Sequence, residues 1–249
     1  AKAFLDAIKE ADSGKGVACL YGNYAGDNMN VKMAVQMAED DDIEVKYVVA
    51  NDDVASAPKA VKEQRHGIAG GFFMWKVGGA RAAKGGSLDD VIASAQNVVN
   101  RTKSICVGLE PCVIPALGHS NFKIEDGTME FGVGHHGEAG TKVEKLKSAS
   151  EMAQEMAETI LNDFDFEEGK EVAVMLSSLG ATPVMELYVL YDEVEKVLAK
   201  AGHKVWKTYI GNYVTSLDMN GASLTIVDLD DEIKELLSEP AVPIGMKNY

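Results

Sequence analysis

GKGVACLYGNYAGDNMNVKMAVQMAEDDDIEVKYVVA, Gly14 to Ala50, sets the architecture. Gly16 to Tyr21 is a short apolar run behind two glycines and reads as a buried strand. Val31 to Glu39 carries apolar residues at helical spacing, with Asp27, Asn28 or Asn30 as candidate N-caps. Val45 to Ala50 reads as the next strand. Strand, helix, strand in this order predicts an α/β fold with a mostly parallel sheet.

Beyond this unit, Asn51 to Pro58 reads as a polar loop, and helices are expected over about Ile68 to Lys84 and Ser87 to Arg101. Ser87 before Leu88-Asp89-Asp90 is a strong N-cap, with acids in the first turn. A second block begins near Ser104. SICVGLEPC and TMEFGVG read as strands, Ser148 to Asp163 as an amphipathic helix and Glu171 to Ser177 as a buried strand. Pro183 to Lys200 reads as a helix ended by Gly202, followed by strands in HKVWKTYIGNY and ASLTIVDL and a helix from Asp230 to Ser238. Asn220-Gly221 reads as a hairpin dipeptide between the last two strands. The expectation is two α/β domains, each of mixed sheet and helices, spanning residues 1–103 and 104–249. The first domain starts abruptly in a helical pattern without Met, so residues are expected upstream of Ala1.

Composition narrows the function classes. A formal net charge of -15 repels phosphate backbones and anionic headgroups, which argues against nucleic-acid and membrane-surface partners. No apolar run reaches the roughly 18 residues of a membrane-spanning helix. The cysteines, Cys19, Cys106 and Cys112, are odd in number and lack metal-ligand spacing, which suits reduced thiols in a cytoplasm.

The densest polar, glycine-rich stretch is GVGHHGEAG, Gly132 to Gly140. A strand runs into His135 and His136, flanked by glycines and followed by Glu138. Glycines let backbone approach a ligand, and histidine supplies a nucleophile, base or metal ligand near neutral pH. The same stretch reads equally well as a glycine turn with surface histidines. Zinc fits poorly, because adjacent histidines diverge and no third ligand lies at useful spacing. GNYAGDNMN, Gly22 to Asn30, places Asp27 after a strand, where open α/β sheets bind ligands; a helix cap is the commoner job for such an Asp. SSLGATPVMEL, Ser177 to Leu187, is a strand, glycine turn and helix start, fit for an anion or for structural punctuation. Asp218 reads as a ligand or a turn residue. His66, His119 and His203 read as surface residues. The chain has neither GxxxxGK[ST] nor GxGxxG after a strand, so no nucleotide site is expected in it.

Taken together, GKGV (14–17), NYAGDNMN (23–30), VANDDVA (49–55), EFGVGHHGEAG (130–140), LGATPVMELY (179–188) and TSLDMNGASLT (215–225) resemble the substrate-binding K subunit of dihydroxyacetone kinases. The resemblance implies the K-type fold and a cytoplasmic homodimer. It implies a histidine, His136 here, that holds the ketone carbon of dihydroxyacetone as a covalent hemiaminal. It also implies an aspartate, Asp27, that helps deprotonate the terminal hydroxyl. It further implies no cofactor on this chain: ADP or ATP with magnesium sits on an all-helical, nucleotide-binding L subunit or domain that donates the phosphate. The sequence departs from the family twice. It has no counterpart of the upstream GGGSGHEP segment, and Gly22 stands where the family usually has lysine, which bears on how one end of the substrate is held. Two alternatives follow: a K-like regulatory paralogue that binds dihydroxyacetone without kinase activity, or a kinase for a longer ketose such as erythrulose.

Overall fold

The computed structural model describes residues 1–120, 122–165 and 169–243; residues 244–249 of the expected second domain lie outside the described residues. β1 (Val17–Gly22), α2 (Ala25–Glu39) and β2 (Val45–Ala50) form a βαβ unit, with Val17 beside Val45 and Gly22 beside Ala50 in parallel register. Amphipathic α1 (Lys2–Ala11) buries Leu5 and Ile8 against Val17, Ala34 and Ala38.

The caps expected for α2 are not used. The helix begins at Ala25, six residues before the apolar periodicity, and Tyr24 occupies the N-cap without a side-chain bond. The early turns carry Gly26, Asn28 and Asn30, so they show no apolar stripe. Asn23 donates its amide to Ala50 O at 2.9 Å, which ends β1 and turns the chain into the helix there. Asp27 therefore lies inside the first turn.

A loop with a 3₁₀ turn at Lys59–Gln64 leads to α3 (Gly71–Ala83) and α4 (Leu88–Asn100). Ser87 caps α4 in a reciprocal capping box with Asp90. β3 (Thr102–Glu110) then enters a six-stranded mixed sheet. The intervening elements are a small ribbon, β4 (Val113–Ile114) with β5 (His119–Ser120), and the hairpin β6 (Thr128–Phe131) with β7 (Lys142–Lys145). α5 (Ala149–Asp163), β8 (Glu171–Ser178), α6 (Val184–Lys200), β9 (Lys204–Gly211), β10 (Asn220–Asp228) and α7 (Asp231–Ser238) follow. The order across the sheet is β7-β6-β3-β10-β8-β9, and only β8 and β9 run parallel, through the α6 crossover.

The alternation of strand residues sorts them onto two faces. Val172, Val174 and Leu176 of β8 pack under α5 and α6, while Ala173 and Met175 face α3, α4 and α7. The second of these clusters also takes Val48 and Ala50 of β2, so one apolar cluster runs across the junction between α4 and β3. Among the described residues β7 and β9 form the edges of this sheet, carrying Lys142 and Lys145 on one side and Lys204 and Lys207 on the other.

Asn220-Gly221 is not a hairpin turn. β10 lies between β3 and β8, with β8 separating it from β9. The dipeptide opens β10 at a register shift against β3, and a side chain at Gly221 would run into Val107 O. Glycine is needed there for close backbone approach rather than for a turn. No helix among the described residues is long and apolar enough to cross a membrane.

The loop before α3 is fixed by a buried ion pair. Arg65 is 1% exposed and forks onto Asp163 at the end of α5, at 2.6 and 2.7 Å, with Nε donating to Ala57 O. Removing one partner would leave the other charge buried alone. Asp163→Asn is therefore expected to cost roughly 3–5 kcal/mol in denaturant unfolding. A cost within the scatter of surface substitutions would show that the loop relaxes and lets water reach Arg65.

Candidate functional site

The site is built on the turn after β6. Gly132 donates its amide to Cys106 O at 2.7 Å, and Gly140 donates to Glu130 Oε1 at 2.6 Å, so both ends of the turn are pinned to the sheet. Within it, Gly134 N–H donates to Glu138 O and Gly137 N–H to Gly134 O. Gly137 adopts a left-handed φ of 81°, and a side chain at Gly134 would collide with Glu138. The glycines thus serve to fold the backbone tightly around one carboxylate.

That carboxylate orients His136. Glu138 Oε2 accepts the His136 amide at 2.9 Å, and Oε1 lies 3.0 Å from His136 Nδ1. An ionised carboxylate only accepts, so Nδ1 carries the hydrogen and Nε2 keeps its lone pair. Partial burial works against the charge on Glu138, but bonds from its own amide, the His136 ring and the His136 amide outweigh it and hold the carboxyl below its ordinary value. The His136 side chain is 66% exposed, open to an incoming molecule.

Tyr24 holds the other face. Its ring stacks on His66 with centroids 4.8 Å apart and meets His136 edge-on, also at 4.8 Å. His66, read from sequence as a surface residue, is half-buried and belongs to this row of rings. Asn23 keeps the row together: its amide nitrogen donates to Glu63 O and Arg65 O, and its Oδ1 accepts from Asn28. The Tyr24 hydroxyl is buried without a hydrogen-bond partner. Burial pushes it well above the usual tyrosine range, and the nearby carboxylates Glu138 and Asp53 push it further.

The remaining expected residues are placed unequally. The Asp27 side chain caps nothing and makes no hydrogen bond with the described residues, His136 included. Gly22 ends β1 against the 66–68 loop, where a side chain would meet Gly67 O at 3.1 Å. Asp218 accepts the Val113 amide at 2.6 Å and ties two loops together. Ser177, Ser178 and Thr182 spend their hydroxyls on nearby backbone and on Asn220, which is structural punctuation. Among the described residues no group of three metal-ligating side chains comes together.

Sequence reasoning missed Asp52, Asp53 and the burial of His135. Asp52 and Asp53 belong to the stretch that reads as a polar loop, yet both are buried. His135 is 8% exposed, and burial brings its ring down to about 4, so it stays neutral. Its backbone carbonyl accepts Ser216 Oγ at 2.6 Å, while Nε2 is buried without a partner. His135 and His136 line one cleft of about 420 Å³, with Cys112, Ile114, Thr215 and Ser216 around it. The paired aspartates in VANDDVA were the available signal for the first two; nothing in the sequence distinguishes a buried His135 from an exposed one.

A mixed six-stranded sheet covered by helices thus carries an oriented, exposed histidine in a glycine-rich turn. The chain belongs to the Dak1 domain family, whose model matches residues 1–244. It is 40% identical to the dihydroxyacetone-binding subunit DhaK of a PTS-dependent dihydroxyacetone kinase from Listeria innocua, over 91% of this chain and 69% of that one. It is 37% identical to a D-erythrulose kinase of Mycolicibacterium smegmatis, over 94% of this chain and 40% of the relative. The solved structure of the dihydroxyacetone kinase operon co-activator Dha-DhaQ superposes with a TM-score of 0.90 at 30% identity, covering 96% of this chain and 74% of that one.

Asp53 makes the stability of the fold sensitive to pH. Burial raises its carboxyl to about 7 from an ordinary 3.8, Asp52 and Glu138 add to the rise, and the Ala55 amide and Arg65 offset part of it. The folded state holds this proton more tightly than the unfolded one. The contribution to stability is complete below the unfolded value and is lost as pH rises to about 7. The melting temperature is expected to fall over that window, and Asp53→Asn, uncharged at every pH, should flatten the decline. A slope of the same size in Asp53→Asn would assign the effect to other groups.

Proposed function

We propose that this chain is the substrate-binding component of a dihydroxyacetone kinase-type phosphotransferase, holding a small ketose on His136 for phosphorylation by a nucleotide-carrying partner subunit or domain. The observation that carries the reading is the His136–Glu138 pair: an exposed imidazole whose Nδ1–H is held by a carboxylate, leaving Nε2 as the nucleophile. In the proposed step, Nε2 attacks the ketone carbon. The C=O π pair moves to oxygen, which takes up a proton, and Nδ1 releases its hydrogen toward Glu138 or solvent so that the ring ends neutral. A polyol without a carbonyl offers nothing to trap.

Asp27 is the proposed general base for the terminal hydroxyl. It sits in the first turn of α2, three residues beyond the tyrosine that touches His136, and no structural bond occupies it. The phosphate donor, ADP or ATP with magnesium, belongs on the partner; this chain has no phosphate-cradling loop in its sequence. The likeness to the Dha-DhaQ co-activator supports a second reading, a regulatory protein that binds the same ketose.

Intact-mass spectrometry of the complete protein with dihydroxyacetone is expected to show a reversible adduct on the 134–138 peptide, absent in His136→Ala. An adduct that survives this substitution, or maps to His135, would remove His136 from its role. With an L-type partner, ATP and magnesium, Asp27→Asn should keep the adduct and lose about 10²- to 10⁴-fold in turnover. Full turnover in Asp27→Asn would reject the base assignment, and an adduct without any partnered turnover in the unmodified protein would favour the regulatory reading.

A further inference from the structure

One face of α3 borders a cavity away from the histidine turn. Phe72, Trp75, Lys76, Gly79, Ala80 and Ala83 follow one another at helical spacing and line a space of about 520 Å³, with Tyr213 and Pro240 on its other walls. The cavity shares no lining residue with the cleft of His135 and His136. Its rings are held in place. Trp75 Nε1 donates to Leu20 O at 3.0 Å, and Phe72 meets Tyr213 with centroids 5.2 Å apart. Glycine keeps the space open: a Cβ at Gly79 would meet no atom within 4 Å, although glycine weakens a helix relative to alanine.

Lys76 puts a positive charge into this apolar wall. The residue is 8% exposed, and it forms no ion pair among the described residues. Its Nζ donates to Leu236 O and Glu239 O, both at 2.8 Å, at the end of α7. Both acceptors are uncharged carbonyls, and an ammonium has a third hydrogen to give. The carboxylates of Glu235 and Glu239 lie on Lys84 instead, at 3.0 and 2.8 Å. Burial holds the Lys76 ammonium below its ordinary value, Lys207 pushes it the same way, and Glu239 offsets only part of this. A buried charge is stabilised when an opposite charge meets it, and here the fold supplies none.

We infer that this cavity binds a small aromatic carboxylate, its ring against Phe72, Trp75 and Tyr213 and its carboxylate on Lys76. The volume falls in the range of small-molecule sites, and a mostly apolar and aromatic lining with one placed charge is the composition of such sites. Walls built of rings favour a ring, because aromatic pairs packed edge-on or offset gain more than their buried area alone. A carboxylate accepts from Lys76 in a charge-assisted hydrogen bond, which is stronger than a bond between neutral groups. The net charge of -15 repels anions from the surface at large, so the attraction is confined to this cavity.

The test is calorimetric titration of the complete protein with three probes: naphthoate, naphthylmethanol, which keeps the rings without the charge, and octanoate, which keeps the charge without the rings. Naphthoate is expected to bind about tenfold more tightly than either, the worth of one charge-assisted hydrogen bond or of one aromatic contact. Gly79→Leu fills the cavity from the helix and should abolish naphthoate binding. Its melting temperature should be no lower than that of the unmodified protein, since leucine suits a helix better than glycine. If Gly79→Leu melts early, Ala83→Phe narrows the same cavity and takes its place. Lys76→Met should weaken naphthoate about tenfold and leave naphthylmethanol unchanged. If Lys76→Met fails to fold, the comparison of naphthoate with naphthylmethanol in the unmodified protein answers the same question. The proposal is overturned if naphthoate does not bind, or if it binds equally well to a folded variant with the cavity filled. Equal affinity for naphthylmethanol removes the role of Lys76, and equal affinity for octanoate removes the aromatic ligand; either result also overturns it.

Discussion

One buried carboxyl group joins the parts of this molecule. Asp52, just beyond β2, accepts the amides of Ile68 and Gly70 at 3.1 and 2.7 Å, and its backbone carbonyl accepts the Ser104 amide at 2.8 Å. A single residue thereby ties the end of the βαβ unit to the entry of α3 and to the start of β3. Burial raises the carboxyl, and the hydrogen bonds it receives pull the other way. No side chain fits at Gly70, where a Cβ would lie 2.5 Å from Asp52 Cγ, so the second of these two amides must come from glycine. Buried polar groups persist when they are bonded in this way, and here the bonds also fix the geometry.

The same knot places the site. Asp53 donates its amide to His66 O and Val54 donates to Ser104 O, which sets the loop bearing His66 against the sheet. From the other side the buried Arg65–Asp163 fork holds the neighbouring residue. His66 supports Tyr24, Tyr24 supports His136, and Glu138 fixes the rotation of the His136 ring. The exposed imidazole is thus braced by residues from three separate stretches of chain. Bracing of this kind is what lets an exposed side chain act from a defined position.

Much of the fold was legible because its signals are local. β2 has the limits read from VKYVVA, and Ser87 and Ser148 both cap helices through reciprocal boxes, since a serine three residues before an acid is a mechanism as well as a pattern. α2 was read too short because its first turns are polar and its cap uses no side chain. Asn220-Gly221 was misread because a bulge and a hairpin make the same demand on glycine, and only the strand order tells them apart. At the site, the turn around His136 and Glu138 was legible from its glycines. His66, Asp53 and the burial of His135 were not, because each depends on contacts between residues distant in sequence, and polar residues in a loop look the same whether they face water or a neighbouring strand.

The two open edges of the large sheet carry a consequence for the protein in concentrated solution. An unpaired strand edge is a template on which another chain can add a strand. β7 meets such a visitor with Lys142 and Lys145, and β9 with Lys204 and Lys207. Strand addition at either edge would bring the newcomer against charged side chains, Lys142 beside Glu144 and Glu155 and Lys204 beside Glu171 among them, that must shed water or bend aside. Four lysines thus act as gatekeepers against fibre-like stacking, and they do so at the two places where an open sheet is most vulnerable to it.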